Sequence, residues 1–501
     1  MIQVKIFEKA VSNTIYIFSS WIVNSLISFL FWLTAGKFLT QAEYGIAATT
    51  INSSIIIISF TTFGLSSSIP KLVSEYKRRK KIKKIQSTIS TSLLTIFITN
   101  FIISLIFLIG INQLSTIIKV PKAAIIFIVV LSFFSSFYFI FLSIVYAIQD
   151  MKRFLAANIT FNIIKLFVSI FVIFLGYSYL GPLYGTLMGV ILASAICIIP
   201  KYISFKEISL KDEKLFLYSF SGLIGSIAFS ILSNSQYVII SILKNVSTTG
   251  IFGVAMAIST LISVAPNVLS NAIYPIISSL SFDKEKNKSK EKLLEETIRY
   301  AFFFSIPMIL TFSIFPELFV MSFSSNKFIA ASKLLPILGT SVFLYSMSTM
   351  FLNSIYALNK PKIYRNILIL IVFIFLMTTI TLTYFLSDLG TALGHLITMV
   401  IFLSITFFEL KKIINIKFPL TDIIKIFISS ILFFVLYFVK PYVINLIIAG
   451  ILISVVFILY LLSLRLMKFY KKEDARILKH LFYKVKFAKP ITNFILKMVE
   501  S

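Results

Sequence analysis

Cysteine is almost missing from this chain: it occurs once in 501 residues, at Cys197. A single thiol forms no internal disulfide and offers no metal-type spacing. Cys197 lies inside an apolar run, which reads as a small apolar core residue. Histidine is nearly as scarce, with only His395 and His480. No glycine-rich nucleotide motif is found. Acidic residues number 19 against 47 lysines and arginines, and none pair as glycosyl chemistry requires. These shortages argue against an enzyme, and neither a cofactor nor a metal is expected.

Long polar stretches are also lacking. The chain is 58% hydrophobic with a mean hydropathy of +0.97, more apolar side chain than a soluble protein of this length could hide. Runs of about 18 or more apolar residues match the ~30 Å hydrocarbon thickness. Inside lipid each backbone polar group needs an internal partner, so such runs should be helices. The ~10-residue alternating strands of an outer-membrane barrel are not visible. The expected fold class is an all-α polytopic membrane protein. Its opening residues, MIQVKIFEKA, carry no small-residue cleavage site, so no removed signal peptide is expected.

About fourteen spans can be placed, at 10–36, 45–70, 86–111, 123–148, 155–178, 182–203, 215–243, 250–280, 296–316, 328–358, 364–387, 390–410, 422–439 and 441–465. The net charge of +28 would suggest nucleic acid in a soluble protein. Here the basic residues fall in short breaks between apolar runs, which points to topology instead. Connections after even-numbered spans carry them, as in EYKRRKKIKK (75–84), DKEKNKSKEK (283–292) and KPKIYR (360–365). With the termini, 39 of the 47 lie on that side. Lys37, Lys119, Lys122, Lys244, Lys327, Lys333 and Lys440 fall on the other, and Lys165 lies within a span. This bias predicts cytoplasmic termini, with Lys77 to Lys84 against anionic headgroups and no nucleic-acid partner. The opposite side has short connections and the isolated carboxylates Glu43, Glu317 and Asp388. A basic tail at 466–501 places Ile477, Leu478, Leu481, Phe482 and Val485 at helical spacing, the pattern of an interfacial amphipathic helix.

An internal repeat is legible. LTQAEYGIAATT (39–50) resembles STTGIFGVAMAI (247–258), so that Tyr44-Gly45-Ile46-Ala47 matches Phe252-Gly253-Val254-Ala255, 208 residues on; Pro70 and Pro275 lie 205 apart. A repeat of six spans keeps both copies in the same orientation, with a site expected between the halves. The organisation expected is 1–206 and 207–418 as parallel halves, 419–465 as two further spans, and 466–501 as the tail.

Lys37, Tyr44-Gly45, Gly64-Leu65 and Lys71 fill an ordered pattern in AGKFLTQAEYG (35–45) and FGLSSSIPKLVSEYKRRKK (63–81). Together these segments are similar to the opening of the polysaccharide-biosynthesis flippases. YAIQDMKRFLAANITFNIIKLFVSIFVIFLG (146–176), NAIYPIISSL (271–280), Pro307 and FSSNKFIAASKLLPILG (323–339) continue the likeness over nearly the whole chain. The resemblance implies the multidrug/oligosaccharidyl-lipid/polysaccharide exporter superfamily, two six-helix bundles in a V, and alternating access. One departure is Gln236, which stands where related sequences often carry an aspartate; a carboxylate role in cation coupling is not carried over.

Polar residues inside spans usually face a cavity or another helix. Ser259, Ser263, Asn267, Ser270, Asn271 and Tyr274 share a face of span 8. Ser226, Ser230, Ser233, Asn234, Tyr237 and Ser241 do so in span 7. Asn13, Ser20 and Asn24 mark span 1, and Asn52, Ser59, Thr62 and Ser66 mark span 2. Such faces either line a hydrated cavity for sugar hydroxyls or glue packed helices together. Lys165 lies mid-span on a face with Asn158, Asn162 and Ser169, at an insertion cost of ~2.5–3.5 kcal/mol. It is a candidate for holding a lipid phosphate or diphosphate, against the alternative of a snorkelling lysine. The expected substrate contacts are Lys165, Asn158, Asn162, Asn24, Asn52, Ser66, Ser230, Asn234, Gln236, Asn267, Asn271, Lys37 and Lys71. His395 is a candidate coupling residue, and Pro266 and Pro307 are expected to kink their helices.

These features predict a plasma-membrane flippase carrying a lipid-linked oligosaccharide from the cytoplasmic to the outer leaflet. The expected partners are that lipid-linked glycan, membrane lipids and glycan-assembly enzymes, and the expected state is a monomer. The alternatives are a multidrug or small-solute exporter of the same fold and a membrane glycan polymerase or glycosyltransferase.

Overall fold

Uninterrupted apolar stretches, with polar breaks only at their ends, fold into helices because lipid leaves the backbone no other partner. The computed structural model describes residues 2–209, 213–280, 287–443 and 445–471, and no strand occurs among them. The helices run α1 (Ile2–Phe38), α2 (Gln41–Thr61), α3 (Leu65–Arg78), α4 (Ile82–Ile109), α5 (Ile111–Ile118), α6 (Lys122–Ala147), α7 (Met151–Val172) and α8 (Leu180–Cys197). They continue with α9 (Glu213–Leu243), α10 (Val246–Ser259), α11 (Val264–Leu280), α12 (Asn287–Ile314), α13 (Pro316–Phe323), α14 (Leu335–Ala357) and α15 (Pro361–Ile413). Last come α16 (Leu420–Ser430), α17 (Val435–Val439) and α18 (Leu446–Leu466). The amphipathic segment expected in the tail lies outside the described residues, as does the side chain of Asn13.

Twelve helices among the described residues are long and apolar enough to cross a membrane. In the 37-residue α1 the apolar stretch among the described residues is the shorter Val23–Phe38. The 53-residue α15 is broken at Ser387, whose φ of 60° and ψ of −137° are not helical, so it crosses twice. The all-α polytopic fold of about fourteen spans expected from the sequence is borne out, with the exact count approximate. Outward-facing Phe167, Phe171, Phe174, Phe385 and Phe438 are each at least 64% exposed. Such an apolar belt is a liability in water and the normal surface in lipid.

Helix boundaries repeat along the chain. Ile82–Ile109 and Asn287–Ile314 match at both ends with an offset of 205. Ile111–Ile118 and Pro316–Phe323 do so too. The N-caps of α2 and α10, Thr40 and Asn245, keep that offset. So do Gly45 and Gly250: a Cβ on Gly45 would lie 1.7 Å from the Val246 carbonyl oxygen, and one on Gly250 would lie 2.0 Å from that of Gln41. The two helices thus cross reciprocally at their N-terminal turns, where only glycine lets the backbones approach this closely.

Both prolines that were expected to kink helices free a carbonyl that another helix satisfies. Pro266 follows a 3-10 turn at Thr260–Ser263, and the carbonyl four residues before it, Ile262, accepts from the Ser305 hydroxyl at 3.3 Å. Pro307 frees the Phe303 carbonyl, which accepts from the fully buried Tyr460 hydroxyl at 3.1 Å. That bond ties α18 to α12. At the opposite end, Lys440 and Glu317 pair at 2.9 Å and tie the same C-terminal pair of spans to α13.

Candidate functional site

The first two spans of each half meet at the centre of the molecule. α2 packs against both α9 and α10, and α1 packs against α7 while also touching α10 and α11. Between them lies a cavity of about 290 Å³. Its polar lining is Asn24, Ser25 and Ser28 from α1, Thr260, Ser263 and Asn267 around the start of α11, and the hydroxyls of Tyr44 and Tyr237. Trp32 and Phe29 add aromatic faces, and the Trp32 and Tyr44 rings lie 5.1 Å apart. No charged side chain among the described residues lines it. The spacing along α1 places it nearer the end of the molecule opposite the basic connections.

α7 stands behind α1 and supports this lining. The Asn162 amide donates to the Asn24 side-chain oxygen at 2.9 Å. The Lys165 ammonium lies 3.3 Å from the Ser28 hydroxyl and 4.3 Å from the centroid of the Phe31 ring. Lys165 is buried and pairs with no carboxylate among the described residues. Its charge is therefore held by a hydroxyl and an aromatic face, one side chain away from the cavity. The small residues of α8 allow that position: a Cβ on Gly185 would fall 2.4 Å from the Lys165 carbonyl oxygen.

The two halves touch on either side of the cavity. On the side away from the basic connections the contact is the α2/α10 crossing, set in an apolar core that includes Leu39, Tyr44, Ala48, Ile240 and Phe252. The basic-side contact is small and hydroxylic. Gly64, in the left-handed region with φ of 69°, brings its backbone against Ser219 and Leu223, and the Ser68 and Ser219 hydroxyls are 2.8 Å apart. Beyond it, a second cavity of about 450 Å³ lies between α3, α9 and the start of α15. It is lined by Ser66, Lys71, Tyr218, Ser226, Tyr356, Lys362, Tyr364 and Arg365 among others.

Residues 10–281, more than half of the chain, match the family described as polysaccharide biosynthesis protein. The chain belongs to the polysaccharide biosynthesis protein family. Among solved structures it is similar to the lipid II flippase MurJ in an inward closed conformation. That likeness has a TM-score of 0.71 and 19% identity, and covers 90% of this chain and 98% of that one. It is also similar to a multidrug resistance MATE family transporter of the MOP superfamily in an inward-facing conformation, with a TM-score of 0.62, 14% identity, and coverage of 79% and 95%. A third is a MOP superfamily transporter from Pyrococcus furiosus described as having a binding pocket of reverse polarity, with a TM-score of 0.56, 14% identity, and coverage of 80% and 95%. At these identities the likeness shows the fold, that of the exporter superfamily named by the sequence resemblance. A search of curated proteins finds no match.

Within this family fold, the expected site residues separate into groups. Asn24 and Asn267 line the central cavity, and Asn162 and Lys165 reach it through Asn24 and Ser28. Ser66 and Lys71 line the basic-end cavity instead. Asn52, Ser230 and Asn234 lie in the α2/α9 seam between the two cavities and line neither. The Asn52 amide donates to the Ala48 carbonyl at 2.7 Å, Ser230 to that of Ile55 at 3.2 Å, and Asn234 to that of Ser230 at 3.0 Å. Of the three, Ser230 bonds across to α2, while Asn52 and Asn234 bond within their own helices. Gln236 is fully buried and its amide donates to the Leu232 carbonyl. Asn158 bonds the carbonyl of Phe154, while Asn271 and Lys37 are exposed. His395 is buried against Ser341 and the Phe375 ring and lines neither cavity. Tyr237 lies on the polar face expected for span 7, whereas the aromatic residues Trp32 and Tyr44 are not marked by polar periodicity; a tryptophan one helical turn from Ser28 is the available signal.

Proposed function

We propose that this protein is a flippase moving a lipid-linked oligosaccharide between leaflets by alternating access, with its basic end and both termini cytoplasmic and the plasma membrane as its site. The lining of the central cavity carries this reading. Amides and hydroxyls suit sugar hydroxyls, aromatic faces suit the apolar faces of sugar rings, and the nearest charge is a cation, Lys165. A carboxylate-free cavity with a lysine behind it favours an anionic, sugar-bearing head over the cations that drug exporters move. The two contacts flanking the cavity supply the alternating seals that such a cycle needs. The head group would occupy the cavity while the lipid tail stays in the bilayer. Glycan-assembly enzymes on the cytoplasmic side would supply the substrate to a monomeric carrier.

The cavity volume favours a second reading. About 290 Å³ lies at the low end for ligand pockets, so a small-solute exporter of the same fold would also fit this closed shape. One experiment separates the two. Purified protein in liposomes is given a fluorescent polyprenyl-diphosphate oligosaccharide, and leaflet exchange is read by an impermeant quencher. We expect exchange that the free oligosaccharide does not inhibit. Gradient-driven movement of a soluble solute with no exchange of the lipid would replace the flippase reading by the exporter one.

A further inference from the structure

The basic-end cavity is not explained by topology alone. Positive residues belong at that end, but here cations from both halves converge on one concavity. Lys71 comes from α3 and lies 3.6 Å from the centroid of the Tyr218 ring; Lys362 and Arg365 come from the first two turns of α15. A helix N-terminus carries positive partial charge and favours acidic residues. The first turn of α15 has none and holds Lys362 instead, with Arg365 just after it, concentrating positive potential. No carboxylate lines the cavity among the described residues, while Ser66, Tyr356 and Tyr364 offer hydroxyls. Lys71 also borders a second hollow lined by Lys77, Arg78 and the carboxylate Glu75, so the basic surface continues along α3.

We propose that this cavity captures the phosphate or diphosphate head of a membrane lipid, and that the bound anion clamps the two halves together at the basic end. This rests on the flippase reading for its biological sense, but not for its test. An anion between Lys71 and the α15 cations is held by both halves at once, so it favours the state in which they meet. The contact it would reinforce lies next to it: Ser68 and Ser219, with hydroxyls 2.8 Å apart, join α3 to α9. Capture and the central cavity are then separate stations, with the α2/α9 seam between them.

The test uses detergent-purified full-length protein carrying Cys197→Ser, Ser68→Cys and Ser219→Cys. Rates of disulfide formation are compared with polyprenyl diphosphate, with phosphatidylglycerol and with inorganic pyrophosphate added. Binding of each is measured by native mass spectrometry. We expect polyprenyl diphosphate to bind and to speed cross-linking several-fold. Lys71→Gln, or the pair Lys362→Gln with Arg365→Gln, should each weaken binding at least tenfold and abolish the acceleration. Thermal melting and elution volume confirm that the variants fold. An equal response to phosphatidylglycerol supports the site and identifies bulk anionic lipid as its occupant. A response to pyrophosphate alone, or binding and cross-linking unchanged in both variants, overturns the proposal. Leaflet exchange measured on the same proteins remains a separate readout, so loss of the clamp and loss of the flippase reading are told apart.

Discussion

Lys165 is worth most at the residue scale because no carboxylate among the described residues neutralises it. Its ammonium reaches the Ser28 hydroxyl, which lines the central cavity, at 3.3 Å. A rotation about its side chain would carry the charge to an anionic ligand without moving the helix. A hydrogen bond to a charged group contributes about 1.5–3 kcal/mol, so Lys165→Ala should lower leaflet exchange roughly 10- to 100-fold with expression intact. Ser28→Ala, which leaves the charge in place, should cost less. Exchange in Lys165→Ala equal to the parent would leave the lysine as a structural residue held by Phe31 and Ser28. The lysine and the asparagine behind the cavity were legible in the sequence, since a charge in an apolar run has few uses. Asn52, Ser230 and Asn234 were not separable from lining residues. Polar faces that line water and polar faces that join helices share one periodicity, and only the packing of α2 on α9 distinguishes them.

Among elements, the duplication was half legible. The sequence offsets of 208 and 205 are resolved by the structure in favour of 205, at which Gly45 meets Gly250 and helix ends coincide. A second motif went unread. Ser178, Gly181 and Gly185 recur as Ser387, Gly390 and Gly394, each 209 residues later. Both serines hold the same rare backbone, φ/ψ of 52°/−128° and 60°/−137°. They turn the chain between the last two helices of each half, and the glycines let the returning helix lie against the outgoing one. The proline kinks lead to a testable element-scale claim. With Pro307 in place, the Phe303 carbonyl depends on Tyr460, so Tyr460→Phe should destabilise the detergent-solubilised protein by about 0.5–1.5 kcal/mol. In a Pro307→Ala background residue 307 regains its N–H, the carbonyl has a partner within the helix, and the same substitution should cost less. Denaturation midpoints of the four proteins form the cycle; equal costs in both backgrounds would mean that Tyr460 stabilises by packing alone.

For the whole molecule, the two seals differ in kind, and that difference sets a direction. The contact at Gly45 and Gly250 is buried in an apolar core with Leu39, Phe252 and Ile240. The basic-end contact combines glycine backbone and serine hydroxyls with Leu215, which belongs to a smaller buried apolar cluster with Leu65, Ile69 and Leu72. Within lipid, helices associate by close van der Waals packing, which the α2/α10 crossing has over a long stretch, whereas hydroxyl contacts between helices contribute only about 0.6 kcal/mol each. The basic-end seal should therefore be the weaker, and opening toward the basic side the easier of the two motions. A wedge at either seal makes this measurable. A Cβ on Gly222 would meet the Ser67 hydroxyl at 1.9 Å and the Ser67 Cβ at 3.1 Å, so Gly222→Val should pry the basic end apart. Ser230→Cys, in a Cys197→Ser background, lies in the seam just beyond and is buried in the closed state. It should react several-fold faster with an impermeant thiol reagent from the basic side when Gly222→Val is present, and the parent should react measurably from that side too. Gly45→Val forces the opposite crossing open against the Val246 carbonyl and should leave that basic-side rate unchanged or lower it. Faster labelling from the non-basic side in the unwedged protein would reverse the order of the seals and place the resting state facing outward.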